Sequence, residues 1–516
     1  PSPILSGMMD RFLYGDFMPF LETTRGCPYA CTFCVQGDEW YSTIARFSTD
    51  RITEELRYIA ERMAKFPDVP LALADSNFGM YPHDVKTAEA IAELQREFDW
   101  PRSFIVDTGK SQLQRLIEVA KKLNRRISMS ISPQSMNIDT LKTIKRTNLG
   151  GSNVREVYEQ MKRNGITTNA AIIVPLPEET KESYIAGLRS LAESHVEQPL
   201  AYTTMLLKGT ALASKESRQR HAMVTRFRML PRQFGEYLGE RVFEFDEVCV
   251  ATNTMSFEDY IECRGVSFVF LVMSSTQFDF LRPVCRELGV DWFDVLLQFW
   301  QAIKVSDGPL GSIYADFIAA ETQLFDSVED MRRFIAADEN YARLLSGELG
   351  ENVMRNFVPK VVVNHFCEAA DLMLLLAQTR AEPVAWLGAV STWSRAVRDI
   401  FPMLELQLHS FEPVTFELEY DIEAWYGGGG NRPISDFSRS VRYEATADRQ
   451  GIERAVAAMN RLYGMDMLRW SSRLLEAKPV CEMWRRCRSV DQSGLDSQDT
   501  RQALHKGGPA VFSVSR

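Results

Sequence analysis

The chain has 516 residues, enough for two to four domains, and 45% of them are hydrophobic, as is ordinary for a globular protein. Its net charge of −10 argues against nucleic-acid binding as the main activity, and no apolar stretch reaches the length of a membrane span. The nine cysteines are not arranged as a disulfide framework, so we expect a protein of the reducing cytoplasm with neither a membrane nor a nucleic-acid partner.

The first 215 residues alternate short apolar runs with amphipathic helical patterns, such as the stretch from Val154 to Met161. The runs that predict strands are Met18–Thr24, Pro70–Asp75, Ser103–Asp107, Ile127–Ile131, Thr168–Val174 and Leu200–Leu206. Alternation of strands and helices predicts a parallel sheet covered by helices. Six such units suit an open, partial βα barrel with its active face at the C-terminal ends of the strands.

The rhythm changes near residue 216, where an Arg- and Met-rich stretch begins. A strand is expected at Val242–Thr254, and mostly helical, aromatic-rich patterns follow Gln277. The predicted division is a linker from a missing N-terminal domain (1–17), the barrel (18–215), a mainly helical accessory domain (216–485) and a disordered tail (486–516). The linker is inferred from a start without Met in a Pro-rich stretch.

Three cysteines, Cys27, Cys31 and Cys34, stand close together in the loop that follows the first predicted strand. Thiolates favour iron–sulfur clusters and zinc, and a four-iron cluster normally takes four cysteines. The next cysteine is Cys249, so one iron would be left open, and an open metal position is where substrate chemistry can occur. The alternative is a zinc site completed by a distant His.

This cysteine spacing, with Phe33 just before the third cysteine, resembles the radical S-adenosylmethionine (SAM) superfamily. The resemblance implies a partial (βα)6 radical SAM barrel, followed here by a mixed, mainly helical C-terminal domain. It also implies a [4Fe–4S] cluster on Cys27, Cys31 and Cys34, with SAM bound at the open iron. Phe33 would lie against the adenine edge; otherwise it is a core aromatic.

The resemblance also assigns SAM contacts to other strand ends. Asp75 and Asn77, after the second strand, would contact the SAM amino group, and Gly79 would allow close backbone approach. A polar turn with an Asp cap is the alternative for that segment.

Ser130 and Gln134 would contact the ribose hydroxyls, and Arg146 would bind the SAM carboxylate unless it lies on a solvated helix face. Adenine would pack on the backbone at Pro175. There the chain departs from the family, since Val174–Pro175 stands where glycine is usual and Glu178 replaces a second glycine.

The implied activity is reductive cleavage of SAM to a 5′-deoxyadenosyl radical that modifies an unreactive carbon of an unknown substrate. The opening residues and the stretch Thr254–Tyr260 resemble radical SAM proteins with an upstream cobalamin-binding domain, so cobalamin-dependent methyl transfer is one outcome. A flavodoxin or ferredoxin would supply electrons. The alternative is a non-catalytic iron–sulfur protein for electron transfer or redox sensing. No catalytic residue beyond the cluster cysteines is assigned.

Overall fold

The computed structural model describes residues 1–15, 17–124, 127–130, 132–148, 154–194, 196, 198–463 and 483–490. They form two compact units. The first holds Pro1–Arg226 with Asp246–Tyr260, and the second holds Phe227–Phe245 with the described residues from Ile261 onward.

Six parallel strands build the first unit, and they follow the six apolar runs of the sequence. They are Phe20–Leu21, Leu71–Phe78, Phe104–Thr108, Met129–Ser130, Thr168–Val174 and Gln198–Thr203. Hydrogen bonding groups them into two sheets, one of strands one to three and one of strands four to six, each in chain order. The predicted partial βα barrel is thereby confirmed.

A side chain joins the two sheets. The Thr108 hydroxyl accepts a hydrogen bond from the Ser130 amide (2.8 Å) and donates one to the Ser130 carbonyl (3.3 Å). The fourth strand regains backbone pairing with the fifth at Gln134, whose amide donates to the Ala171 carbonyl (2.9 Å). Since Pro133 has no N–H to donate, the chain leaves the ladder around that residue.

Helices connect successive strands, and the longer ones bury one apolar face each. Their bounds are Thr49–Met63, Pro82–Phe98, Leu113–Lys122, Ile138–Thr143, Val154–Arg163, Lys181–Glu193 and Lys215–Arg220. The first shows how the sequence determines them: the Ser48 hydroxyl accepts from the Arg51 amide at the N-terminus, and Ile52, Leu56 and Ile59 are buried at helical spacing.

Two long strands, Val224–Tyr237 and Glu240–Ala251, pair with each other, and residues of both are divided between the two units. The second of them matches the strand expected at Val242–Thr254. The first lies in the Arg- and Met-rich stretch, for which the sequence predicted no strand.

The second unit is mainly helical, as predicted. Its helices are Phe257–Met273 (from Ile261), Leu281–Glu287, Trp292–Lys304, Pro309–Thr322, Val328–Ala336, Asp338–Ser346, Val353–Pro359, Phe366–Gln378, Trp386–Arg398, Phe401–Leu404, Ile422–Gly427 and Arg449–Tyr463, with a π-helical turn at Lys360–Asn364. Val414–Tyr420, Ser438–Thr446 and Arg486–Ser489 form an antiparallel sheet.

The last of these strands lies in the segment expected to be a disordered tail, while residues 491–516 lie outside the described part of the chain. Within the described residues, no single helix is long and apolar enough to cross a membrane. Among the helices of that part of the chain, one bent pair, Val353–Asn364 with Phe366–Gln378, has the length and composition of a span when its two helices are taken together.

Candidate active site

The three cysteines lie on a loop enclosed by two short antiparallel strands, Thr24–Arg25 and Ala45–Arg46. Cys27 and Cys31 are buried, and Cys34 is half-buried. Backbone hydrogen bonds fix the loop: the Cys27 amide donates to the Tyr41 carbonyl at 2.8 Å, and the Cys34 amide donates to the Cys31 carbonyl at 3.2 Å. The structure thus holds two buried thiols and one half-buried thiol on a single loop.

Gly26 makes that loop geometry accessible. Its φ is +104°, and a Cβ at this position would stand 2.4 Å from the Thr43 carbonyl oxygen. Only glycine combines a positive φ with such close backbone approach at low cost. The residue before the first cysteine is therefore required by the fold of the loop.

Two side chains direct N–H groups at the cysteine sulfurs. The Asn77 amide nitrogen lies 3.3 Å from Cys27 Sγ, and Arg146 Nη1 lies 3.9 Å from Cys31 Sγ. N–H donors and positive charge stabilise thiolates, which are the metal-binding form of cysteine. Burial, in contrast, raises the pKa of the Cys34 thiol. The surroundings of Cys27 and Cys31 fit thiolates that hold a cluster.

Among the described residues, no three His, Cys, Asp or Glu side chains converge on a single metal ion, which is the arrangement that a zinc site needs. A four-iron cluster has no such requirement, because its cysteines bind separate irons.

A polar cleft opens at the C-terminal ends of the third and fourth strands. Its lining is rich in hydroxyl, amide and cationic groups: Gly109, Lys110, Ser130, Ser132, Pro133, Arg146, Asn148 and Val154. Arg146 Nη2 donates to the Ser132 carbonyl (2.6 Å), and its Nε donates to the Asn148 side-chain oxygen (3.4 Å). Two cations and two serine hydroxyls therefore face one small site.

Lys110 is the second cation of the cleft, and its ammonium donates to the Ser76 carbonyl (3.1 Å). Burial lowers the pKa of Lys110, and the nearby Arg146 guanidinium lowers it further. Asp107 and the thiols of Cys27 and Cys31 act in the opposite direction.

The structure brings three of the predicted site residues together. Ser130 and Arg146 line the cleft, and Asn77 contacts the cysteine loop. Arg146 is buried, so it does not lie on a solvated helix face.

Asp75 and Gly79 are engaged elsewhere. The Asp75 carboxylate accepts hydrogen bonds from the Thr23 amide (2.7 Å) and the Thr23 hydroxyl, and burial raises its pKa. Gly79 has a φ of +85°, and a Cβ there would stand 2.8 Å from Leu116 Cδ2. Asp75 thus anchors the segment before the cysteines. Gly79, which has no side chain, leaves room for Leu116 of the helix Leu113–Lys122.

Phe33 on the cysteine loop, and Gln134 and Pro175 near strand ends, have other neighbours. Phe33 packs against a buried cluster formed by Leu206, Leu212 and Cys249. Gln134 pairs its backbone with the fifth strand, and Pro175 is buried directly after that strand.

Sequence reasoning missed Lys110, Ser132 and Asn148. A signal was present for Lys110, because Gly109–Lys110 directly follows the third strand, the position at which polar residues were sought on other strands. Ser132 and Asn148 flank predicted contacts within two residues.

Comparison with known proteins agrees with this geometry. Residues 21–190 match the model of the radical SAM superfamily. The match spans the cysteine loop and most of the strands that follow it, and proteins of this superfamily use a [4Fe–4S] cluster and SAM as cofactors.

Two curated relatives are similar to this chain. The cobalamin-dependent radical SAM methyltransferase TokK of Streptomyces tokunonensis is 30% identical over 283 residues, covering 52% of this chain and 40% of that protein. The 2-(S-pantetheinyl)-carbapenam-3-carboxylate methyltransferase of Streptantibioticus cattleyicolor is 28% identical over 333 residues, covering 61% and 47%. The chain spans less than half the length of both.

Among solved structures, the cobalamin-dependent SAM radical enzyme OxsB aligns over 76% of this chain and 60% of its own, with a TM-score of 0.38 and 12% identity.

Proposed function

We propose that this chain binds a [4Fe–4S] cluster through Cys27, Cys31 and Cys34 and uses it to cleave SAM reductively. The observation that carries the proposal is the loop of three cysteines, two of them buried, with Arg146 of the polar cleft directed at one of their sulfurs. When bound and reduced, the cluster supplies the electron that splits SAM into methionine and a 5′-deoxyadenosyl radical.

The cleft residues have chemistry suited to SAM. Arg146 has five N–H donors, of which three are directed at Ser132, Asn148 and Cys31, so two remain for a carboxylate. The Ser130 and Ser132 hydroxyls lie 3.0 Å apart and suit a ribose diol. Since Asp75 is bound to Thr23, we assign the SAM amino group to backbone carbonyls at the end of the second strand.

We further propose that the reaction is cobalamin-dependent methyl transfer to an unreactive carbon of a small-molecule substrate. The support is that both curated relatives are named methyltransferases and that TokK is named cobalamin-dependent. Cobalamin binding is assigned to a domain before residue 1, with residues 1–17 as the linker. A flavodoxin or ferredoxin is the proposed reductant, and the cytoplasm the proposed location.

Anaerobic reconstitution followed by iron, sulfide and 5′-deoxyadenosine analysis tests the first proposal. We expect four irons, four sulfides and release of 5′-deoxyadenosine after dithionite reduction with SAM. Cys31→Ala should abolish all three. Cys367→Ala, which removes a partly buried thiol in the second unit, is the matched control and should keep them.

Stoichiometric zinc without sulfide would contradict the cluster assignment. A full, reducible cluster that leaves SAM intact would favour the electron carrier. The cobalamin proposal is tested separately, by expressing the longest reading frame that contains this chain and recording its visible spectrum after cobalamin addition. An unchanged spectrum would refute it.

A further inference from the structure

Asn77 bridges a buried cation and a cysteine of the cluster loop. Its side chain is 2% exposed. Its amide nitrogen lies 3.3 Å from Cys27 Sγ, and its amide oxygen lies 3.4 Å from Lys110 Nζ. Lys110 is itself held by the Ser76 carbonyl at 3.1 Å, so the bridge is anchored at the strand end.

The chemistry of Lys110 fixes the orientation of the bridge. An ammonium group only donates hydrogen bonds, so the Asn77 atom facing it must be the oxygen. The NH₂ group then faces Cys27, where it can donate to sulfur. The amide dipole thus points its positive end at the sulfur, with the positive charge of Lys110 behind it.

We propose that Asn77 and Lys110 together raise the reduction potential of the cluster, with Lys110 acting as a positioning residue through Asn77. The inference rests on the proposed cluster ligation by Cys27, Cys31 and Cys34. Reduction adds one electron, delivered by a flavodoxin- or ferredoxin-class reductant, and no bond forms or breaks in that step. Hydrogen bonds to the sulfurs and nearby positive charge stabilise the more electron-rich state.

This role differs from the one that the sequence predicts for Asn77. Both polar atoms of its side chain are already directed at partners, the nitrogen at Cys27 and the oxygen at Lys110. A SAM amino group would need the same oxygen, because an ammonium donates only. That oxygen has two lone pairs and Lys110 engages one of them, so Asn77 has a partner at each end of its amide without SAM.

The test is a redox titration of the whole reconstituted chain without SAM, followed by electron paramagnetic resonance of the reduced cluster. Asn77→Leu keeps the branched shape but removes donor and acceptor. We expect about a tenfold smaller equilibrium constant for reduction, which is about 59 mV for one electron. Lys110→Met should shift the potential in the same direction. The double variant should shift it by less than the sum of both.

Lys142→Met is the matched control. It removes one positive charge from an exposed helix of the same unit, where solvent and salt screen it, and the potential should stay unchanged. Iron and sulfide contents are measured for the unsubstituted chain and for every variant. An unsubstituted chain without a cluster would refute the proposed function. A full cluster whose potential does not change in the variants would refute only the proposed effect of Asn77 and Lys110 on that potential.

An unchanged potential in Asn77→Leu with full iron content would overturn the proposal. An unchanged potential together with weaker SAM binding would also overturn the proposal, and it would indicate that Asn77 contacts the SAM amino group instead. If Asn77→Leu loses the cluster, Lys110→Met decides, because Lys110 donates to Ser76 and Asn77 and, within the described residues, to no cysteine. A fully loaded Lys110→Met with the unsubstituted potential would refute the role of the pair.

Discussion

Replacing Arg146 by Met should weaken SAM binding strongly while the cluster is retained. Met keeps most of the apolar stem but removes the guanidinium that we assign to the SAM carboxylate. A hydrogen bond to a charged group contributes about 1.5–3 kcal/mol. Since about 1.4 kcal/mol is tenfold in affinity, the dissociation constant should rise by about 10- to 150-fold.

The assay is equilibrium binding of SAM to anaerobically reconstituted protein, with iron content measured on the same sample. Arg155→Met removes an exposed arginine that pairs with Glu159 on a helix of the same unit, and it should bind SAM normally. The reasoning fails if Arg146→Met binds SAM within about twofold of the unsubstituted chain at full iron content. In that case Arg146 acts only through its contacts with Ser132, Asn148 and Cys31.

Two further perturbations test the surroundings of the site. Gly26→Ala places a Cβ 2.4 Å from the Thr43 carbonyl oxygen and should abolish iron loading. Gly209 also has a positive φ (+86°), but a Cβ added there meets open space. Gly209→Ala should therefore cost only about 1–2 kcal/mol of backbone strain and keep the iron. Burial raises the pKa of Asp84 from 3.8 to about 7. Between these two pH values the folded protein holds a proton that the unfolded chain has released. The free energy of unfolding should therefore fall as the pH rises from about 3.8 to about 7. Asp84→Asn should flatten that dependence in urea unfolding measured on both sides of the pKa; an equal slope in both proteins would contradict it.

The barrel could be predicted because its strands are buried. The fifth strand has the predicted bounds, Thr168–Val174, and six of its seven residues are buried. A strand buried on both faces appears in the sequence as a continuous apolar run. The missed strand, Val224–Tyr237, buries only Met229 and includes Pro231. Its packed face, with Phe227, Met229 and Phe234, is only partly buried, so no continuous apolar run marks the strand.

The cysteines could be found from the sequence because all three lie on one loop, so their spacing along the chain is enough to predict a metal site. The direction of the other side chains depends on the register between neighbouring strands. Phe20 pairs with Ala72 and Leu21 with Leu73. Extending that register by two residues sets Thr23 beside Asp75, which is why the carboxylate turns to Thr23. Nothing in one strand's sequence reports its offset against a neighbour.

The junction between the third and fourth strands divides the barrel mechanically. In the described part of the chain, those strands are joined through the Thr108 hydroxyl, whereas the fifth and sixth share paired residues from Asn169 to Val174. Widening the barrel at this junction breaks the hydrogen bonds of the Thr108 side chain but leaves the backbone hydrogen bonds within each of the two sheets intact. Local opening is cheapest where the fewest backbone hydrogen bonds are lost. The junction ends at the polar cleft, so the side of the barrel that widens at least cost is the side that carries the cleft.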